Sequence, residues 1–190
     1  MQSQDLSIET GHNEITTIIG RKGQGKTVLA KSLINQFKGH VFIFDFLHSY
    51  SGKEFTTIKE LVRNINIEHV STHIYRGSDK DFFFNTIFAI AGKLKTCMVV
   101  LDEIHIWYDR QVRSSLTSFF QIARHRNINI IAVSQRVFDM PPALRALTDT
   151  FYFFNIIMPA DLQYIDSYVY PISTRIKNLS QYSHLKITIS

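Results

Sequence analysis

The feature that most constrains this chain is a glycine-rich loop near its N-terminus. Residues 20–27 read GRKGQGKT and match the pattern G-x-x-x-x-G-K-[ST]. A chance match in a chain of this length is on the order of one in a hundred or less. The apolar run Ile15–Ile19 precedes the loop, and residues 27–38 follow it with apolar side chains on one helical face. This strand–loop–helix order is the context in which the motif binds phosphate, and a glycine-rich turn without a ligand is the alternative.

Apolar runs alternate with helical patterns along the rest of the chain, which predicts an α/β fold with a mainly parallel sheet. The other predicted strands are 41–45, 97–101, 128–134, 150–155 and a terminal edge strand at 184–189. The predicted helices are 57–64 with a capping box, 78–93 with Ser78-Asp-Lys-Asp81 as its cap, and 110–124 with one apolar stripe. Pro141-Pro142 is expected to open a short helix or turn, and a further helix begins near residue 159. No repeat or linker interrupts the pattern, so we expect one domain over residues 1–190.

The composition is that of an ordinary globular protein. Of 190 residues, 45% are hydrophobic and 19% are charged, which excludes a disordered chain. The formal net charge of +5 is compatible with a nucleic-acid partner. A single cysteine, Cys97, excludes an internal disulfide and favours a reducing compartment. With no visible signal peptide or bilayer-length apolar run, we expect a soluble protein that is not secreted.

Each part of the glycine-rich loop has an expected role towards ATP and Mg²⁺. Backbone N–H groups and the helix N-terminus converge on the phosphates. Lys26 is expected to reach the β- and γ-phosphates, and the Thr27 hydroxyl to bind Mg²⁺. The residues expected to contact the nucleotide are Gly20, Arg21, Lys22, Gly23, Gln24, Gly25, Lys26, Thr27 and Val28. The sequence ties no residue to the base.

Two acids follow the predicted strand 97–101, where the carboxyl end of a parallel strand delivers residues to a ligand site. Asp102 is expected to bind Mg²⁺, and Glu103 to position and deprotonate the attacking water. A surface pair that caps the following helix is the alternative. Nucleotide kinases do not need a water-activating glutamate, so the pair favours hydrolysis over phosphoryl transfer.

Gln135 follows directly on the predicted strand 128–134, at whose carboxyl end it would sense the γ-phosphate or orient the water. A solvated loop residue is the alternative interpretation of Gln135. Other polar residues near strand ends have simpler interpretations. Asp45 is expected to cap a loop, His105 and Trp107 to pack, and Cys97 to be inert.

Residues 123–136, ARHRNINIIAVSQR, and 142–149, PALRALTD, resemble the FtsK–HerA superfamily of nucleic-acid-translocating ATPases. The resemblance runs from Gly20 to about Phe154, and the small size is most similar to the genome-packaging ATPases of membrane-containing icosahedral viruses. It implies a RecA-like (ASCE) P-loop NTPase fold. In that fold the strand ending at Gln135 lies between the P-loop strand and the Asp102 strand.

The resemblance also implies a ring, usually a hexamer, in which Arg124 reaches the nucleotide site of the neighbouring subunit as an arginine finger. Arg126 is a second candidate, and complementing the helix dipole is the structural alternative for both. The sequence departs from many relatives at Asn127, where they have glycine, although asparagine tolerates the left-handed conformation.

The function that the resemblance implies is an ATP-hydrolysing motor that moves double-stranded DNA, most plausibly a viral genome, into a capsid. Its DNA contacts would be sequence-independent and made to phosphates, with capsid or membrane-vertex proteins as further partners, in the host cytoplasm or the virion. The candidate DNA-binding residues are Lys53, Lys80, Lys93, Lys95 and Arg113. The alternatives are a small-molecule nucleotide phosphotransferase and an ATP-gated assembly or secretion component.

Overall fold

The structure is a computed structural model that describes residues 13–91, 93–94, 96–106, 113–168 and 171–189, with residues 113–115 and 124 described without their side chains. The strands are β1 (Ile15–Ile19), β2 (His40–Phe44), β3 (Lys53–Phe55), β4 (Thr72–Tyr75), β5 (Cys97–Leu101), β6 (Ile128–Ser134), β7 (Thr150–Phe153) and β8 (Leu185–Thr188). The helices are α1 (Lys26–Gln36), α2 (Ile58–Asn64), α3 (Lys80–Ala91), α4 (Arg113–Ala123), α5 (Pro142–Leu147), α6 (Pro159–Tyr168) and α7 (Ser173–Lys177). Short 3-10 turns cover Ile104–Ile106 and Arg124–Arg126.

Within the described residues all these strands form one sheet, in the order β3-β4-β2-β5-β6-β1-β7-β8. The neighbouring strands pair in parallel, apart from the antiparallel pair β7 and β8. β6 therefore lies between the P-loop strand β1 and the Asp102 strand β5, as the RecA-like fold requires. The predicted fold class is confirmed.

Alternating side chains of the central strands enter two separate apolar clusters, as the two-residue period of a strand dictates. In β5, Val99 and Leu101 face a large cluster that includes side chains of α2 through α7. Met98 and Val100 face a smaller cluster closed by Ala30 and Ile34 of α1. The sheet is thus covered on both faces, and its carboxyl edge stays available for ligands.

Most predicted elements are observed, with differences of one to three residues at several ends. β1, β5 and β6 have the predicted bounds, and the predicted edge strand is β8. β3, β4 and α7 were not predicted, because they are short and lack a sustained period. The first residues of the predicted helix 110–124 lie outside the described part of the chain.

The two predicted helix caps have different outcomes. Thr57 and Glu60 form the predicted capping box at the start of α2. The expectation that Ser78 caps the next helix is wrong, since α3 begins at Lys80 and the Asp79 carboxylate accepts the Phe82 N–H at 3.0 Å. An aspartate one residue before the helix is as suitable a cap as serine. No helix in the described residues is both long enough and apolar enough to cross a bilayer.

Candidate functional site

The glycine-rich loop connects β1 to α1 at the carboxyl edge of the sheet. The Gly20 N–H donates to the Ser134 carbonyl at 3.3 Å, and a Cβ on Gly20 would collide with the Phe154 side chain. Gly23 and Gly25 have φ of 77° and 100°, a region that side chains rarely adopt. These glycines give the loop the tight path that brings backbone N–H groups to one point.

Lys26 is the first residue of α1 and is only 6% exposed. Its Nζ donates to the Arg21 carbonyl at 3.1 Å, so the loop itself holds the ammonium group. Burial lowers the pKa of Lys26 from its usual value, and the charges of Glu103 and Asp102 oppose this shift. Lys26 and the two acids are therefore within electrostatic reach of one another, as the sequence predicts.

The remaining loop residues differ in exposure. Arg21 and Lys22 are exposed, Thr27 is half-buried, and Val28 on the first turn of α1 is 72% exposed. The Gln24 Oε1 is buried without a hydrogen-bond partner in the described residues.

The two acids at the end of β5 have different environments. Asp102 is 4% exposed, and burial raises its pKa to about 6, with further contributions from the charges of Glu103 and Asp45. Glu103 adopts a left-handed backbone conformation with φ of 51°, which is strained for glutamate. Backbone strain of this kind is often found at functional sites.

The Glu103 carboxylate lies between a glutamine and a histidine. The Gln135 Nε2 donates to Glu103 Oε1 at 3.1 Å, so the ends of β5 and β6 are linked. His105, for which the sequence predicts a packing role rather than a catalytic one, also has its Nδ1 3.3 Å from Glu103 Oε2, an ion pair when the imidazole is protonated. A carboxylate held in one orientation in this way is suited to accept a proton from a water.

Two residues that contact Asp45, Tyr50 and Arg76, were not singled out by the sequence. Asp45 is fully buried and accepts the N–H groups of Ser49 and Tyr50, so its predicted loop-capping role is confirmed, and it also pairs with Arg76 at 3.0 Å. Tyr50 is 5% exposed, and its hydroxyl has no hydrogen-bond partner in the described residues. Burial raises the pKa of Tyr50, as do the charges of Asp102, Asp45 and Glu103. No local pattern marks either Arg76 or Tyr50 in the sequence.

The segment after Gln135 is fixed by an aspartate on a distant helix. Asp161 of α6 is fully buried, and its carboxylate accepts from Arg136 Nε at 3.1 Å and from the Phe138 N–H at 3.2 Å. Ser134 Oγ donates to the Arg136 carbonyl at 2.8 Å. These bonds on both sides of Gln135 restrict the backbone that carries it towards Glu103.

Thr27 and Asp102 offer a hydroxyl and a carboxylate oxygen, which are hard ligands of the kind that Mg²⁺ prefers. Among the described residues, no group of three or more His, Cys, Asp or Glu side chains could hold a metal ion. Mg²⁺ in nucleotide sites commonly takes only one or two protein ligands, together with phosphate oxygens and waters. The residues present therefore fit a nucleotide-bound Mg²⁺.

The predicted arginines lie at the junction of α4 and β6. Arg124 begins the 3-10 turn that follows α4, and its side chain is outside the described part of the structure. The Arg126 guanidinium lies 4.7 Å from the ring centroid of Phe88, so it stacks within its own subunit. Asn127 adopts the left-handed conformation with φ of 55°, as its position in place of glycine predicts.

The candidate DNA-binding residues are dispersed. Lys53 Nζ donates to Asn64 Oδ1 at 2.7 Å, Lys80 Nζ donates to the Ile106 carbonyl at 3.4 Å, and Lys93 is exposed. Lys95 and the side chain of Arg113 lie outside the described residues. Trp107, for which the sequence predicts a packing role, lies outside them as well.

Solved structures with this fold include a viral packaging enzyme. The genome packaging NTPase B204 of Sulfolobus turreted icosahedral virus 2 in complex with AMPPCP has a TM-score of 0.77 and 24% identity, with 93% of this chain and 92% of that chain covered. The same enzyme in complex with ATP-gammaS has a TM-score of 0.76, the same identity and the same coverage. ATPases 2 and 3 of EssC from Geobacillus thermodenitrificans match at 16% identity and a TM-score of 0.53, over 84% of this chain and 34% of that one. The resemblance to viral genome-packaging ATPases is thereby confirmed for the fold.

Sequence comparison gives the family. No curated protein sequence matches the chain. The model of the AAA domain family matches residues 9–139, more than half of the chain, including the glycine-rich loop, the two acids and Gln135. The chain belongs to the AAA domain family of P-loop ATPases.

Proposed function

We propose that this chain, acting as one domain, is an ATP-hydrolysing motor that moves double-stranded DNA, most plausibly a viral genome into a capsid. The single observation that carries the hydrolytic part is the Gln135–Glu103 hydrogen bond at the P-loop end of the sheet. It gives the site an oriented carboxylate within electrostatic reach of Lys26. The fold that the chain shares with B204, the DNA-packaging ATPase of Sulfolobus turreted icosahedral virus, supports the choice of DNA as cargo.

The loop and Lys26 would bind the triphosphate. Backbone N–H groups of residues 23–27 would donate to phosphate oxygens, and the Lys26 ammonium would exchange its bond to the Arg21 carbonyl for the β- and γ-phosphates. Thr27 and Asp102 would hold Mg²⁺, which supplies neutralisation of phosphate charge when bound. Val28 would flank the nucleotide at the first turn of α1.

Glu103 would act as the general base. A water oxygen attacks the γ-phosphorus while Glu103 accepts the water proton, and the bond from the γ-phosphorus to the β–γ bridging oxygen breaks with its electrons going to ADP. Gln135 would hold Oε1 of this carboxylate towards β6, and Oε2, which lies beside His105 Nδ1, would accept the water proton.

Arg124 would complete the site of a neighbouring subunit. Arg124 lies in the 3-10 turn after α4, at the position where the family resemblance implies the finger, and Arg126 is a weaker candidate because it stacks on Phe88. An arginine finger contributes about 10³–10⁵ in rate in other P-loop enzymes. This assignment requires a ring, for which a hexamer is proposed.

DNA would be bound through its phosphates by basic side chains, consistent with the net charge of +5. The candidates remain Lys53, Lys80, Lys93, Lys95 and Arg113. Such binding weakens steeply as salt rises, by about 10³–10⁵ between 50 and 200 mM for a protein with several phosphate contacts.

The test measures phosphate release with and without double-stranded DNA at low and high salt, together with the mass of the assembly in the presence of an ATP analogue. We expect DNA to stimulate ATP turnover at low salt only, and ATP to induce a ring.

Glu103→Gln should bind ATP but turn it over about 10²–10⁴-fold more slowly, and Glu68→Gln, at an exposed position, is the matched control. If the ATPase rate at low salt did not change on addition of DNA, the proposal of a DNA-translocating motor would be contradicted. If phosphate were transferred to a nucleotide acceptor instead of water, the protein would be a phosphotransferase. If Glu103→Gln still supported the biological task, an ATP-gated assembly component would be favoured.

A further inference from the structure

A tyrosine near the end of the chain adopts a backbone conformation that favours glycine. Residues 180–183 form a tight turn, in which the Ser183 N–H donates to the Ser180 carbonyl at 3.1 Å and the two hydroxyls lie 2.8 Å apart. Tyr182 is the third residue of this turn and has a φ of 65°. Glycine or asparagine is the usual choice at such a position, so tyrosine is held there against a local preference.

This turn lies directly against the glycine-rich loop. The Gln181 Nε2 donates to the Gly23 carbonyl at 3.4 Å. The Tyr182 ring atom Cδ1 lies 3.2 Å from the point where a side chain on Gly25 would begin, so the absence of a Cβ there makes room for the ring. Gly25 immediately precedes Lys26, and the ring is therefore beside the phosphate-binding backbone.

Asn155 fixes the loop and the C-terminal segment to the same point. Its carbonyl accepts the Arg21 N–H at 3.2 Å, while its Nδ2 donates to the carbonyls of Lys177 and Leu179 at 2.7 and 3.2 Å. His184, just after the turn, packs on the ring of Phe154 with centroids 5.2 Å apart. The turn is thus positioned both by its contacts with the glycine-rich loop and by the contacts that Asn155 and Phe154 make at the end of β7.

The Tyr182 ring has one edge against the loop and is otherwise open, since the residue is 68% exposed. Val28, on the first turn of α1, is also exposed and presents a second apolar group beyond the loop. A nucleotide whose phosphates bind residues 23–27 must place its sugar and base outside the loop, and Tyr182 and Val28 are exposed side chains at the border of the loop. An exposed aromatic face next to that place is the surface on which nucleobases stack.

We propose that Tyr182 is the stacking platform for the base of the nucleoside triphosphate bound by the loop. This inference rests on the proposed nucleotide binding at residues 20–27 and adds the part of the site that recognises the base. Stacking senses the area of the π-face rather than individual donors and acceptors. The site therefore prefers purine over pyrimidine nucleotides and discriminates weakly between adenine and guanine.

The experiment compares three ligands that lack a γ-phosphate and therefore stay intact during the titration: ADP, CDP and pyrophosphate. Calorimetric titration of the full chain gives the Kd of each ligand with the wild type, Tyr182→Ala and Tyr182→Phe. We expect Tyr182→Ala to weaken ADP binding about 5- to 140-fold, the range for loss of one base–aromatic stack, and to abolish the preference for ADP over CDP. Pyrophosphate affinity should stay within about twofold, and Tyr182→Phe should bind ADP like the wild type.

Two controls separate stacking from structural support. Tyr182→Gly removes the ring and suits the positive φ, so it should match or exceed the wild type in thermal stability while losing ADP affinity. Phe82→Ala removes an aromatic residue that is 53% exposed on α3 and should leave all three affinities unchanged.

Three results would overturn the proposal, and they are distinguishable. Equal weakening of ADP and pyrophosphate by Tyr182→Ala would show that the tyrosine supports the loop. Unchanged ADP affinity in that variant would show that the base lies elsewhere. If the wild type bound neither ADP nor pyrophosphate, nucleotide binding at residues 20–27 would itself be disproved, and the base platform with it.

Discussion

Gln135 donates a hydrogen bond of 3.1 Å to Glu103 and so joins the ends of two adjacent strands. Glu103 has a positive φ, and Arg136, the residue after Gln135, donates a hydrogen bond to the Asp161 carboxylate. Each partner of the bond is thus restrained by its own surroundings. Such restraint keeps a proton acceptor in one orientation without cost at the moment of reaction.

We expect Gln135→Ala to lower kcat by about tenfold or more with little change in KM, because it frees the Glu103 carboxylate without touching the phosphate-binding loop. Steady-state ATPase assays check this. Gln121→Ala, an exposed glutamine on α4, is the control and should behave as the wild type. A rise in KM at constant kcat would instead assign Gln135 to ground-state binding.

Lys26→Ala should abolish measurable ATP binding or turnover, because it removes the buried ammonium group at the centre of the loop. Lys38→Ala, at an exposed lysine just beyond α1, should retain both. Titration with ATP and a thermal-shift measurement for each variant separate lost binding from lost folding. Wild-type affinity in Lys26→Ala would mean that the phosphates bind elsewhere.

Arg124→Ala should fold and bind ATP but hydrolyse it slowly, because the arginine acts on a neighbouring site. Mixing it with Lys26→Ala subunits should restore activity, since about a quarter of the interfaces in a 1:1 random ring would combine an intact loop with an intact arginine. The ATPase rate of the mixture is the measurement. If assembly is intact but activity does not return, the finger assignment fails.

Stability should fall as the pH drops below about 6.5, partly because of His73. This residue on β4 is 2% exposed and stacks on Phe42, and burial lowers its pKa to about 4, with smaller effects of His40 and Lys53. Between pH 6.5 and 4 the unfolded chain therefore binds more protons at this position than the folded chain does, so protonation favours unfolding.

We expect this histidine to account for a loss of about 2 kcal/mol in unfolding free energy between neutral pH and about pH 4.5. Urea denaturation of the wild type and of His73→Gln over this range measures it, and the variant should have the shallower pH dependence. His69→Gln, at an exposed histidine, is the control and should keep the wild-type slope. Equal slopes for wild type and His73→Gln would contradict the assignment.

The parts of the fold that were predicted correctly are encoded locally. The apolar run of β1 and the motif that follows it occupy 13 consecutive residues, and the apolar runs of β5 and β6 are equally continuous. β3 and β4 were missed because β3 has three residues, two of them charged, and β4 contains His73. Their pairing with β2 and with each other, rather than their own period, makes them strands.

The candidate site shows the same division. Lys26, Asp102 and Gln135 could be selected because each lies at a strand end or within a motif. Tyr182 could not, since the contact between Gln181 and Gly23 spans 158 positions and no local pattern marks the turn. Contacts of this range become visible only after the strand order brings β8 beside β7 and β7 beside β1.

The two outer strands of the sheet limit how copies of this chain can associate. Among the described strands, β3 and β8 are the outermost; β3 exposes Lys53 and Glu54 and β8 exposes Lys186, so both carry charged side chains. Charged residues on edge strands oppose pairing with a strand of another molecule. A continuous sheet shared between copies is therefore disfavoured, and subunits that assemble would meet through helices and loops, which can slide and separate during a working cycle without breaking a β-ladder.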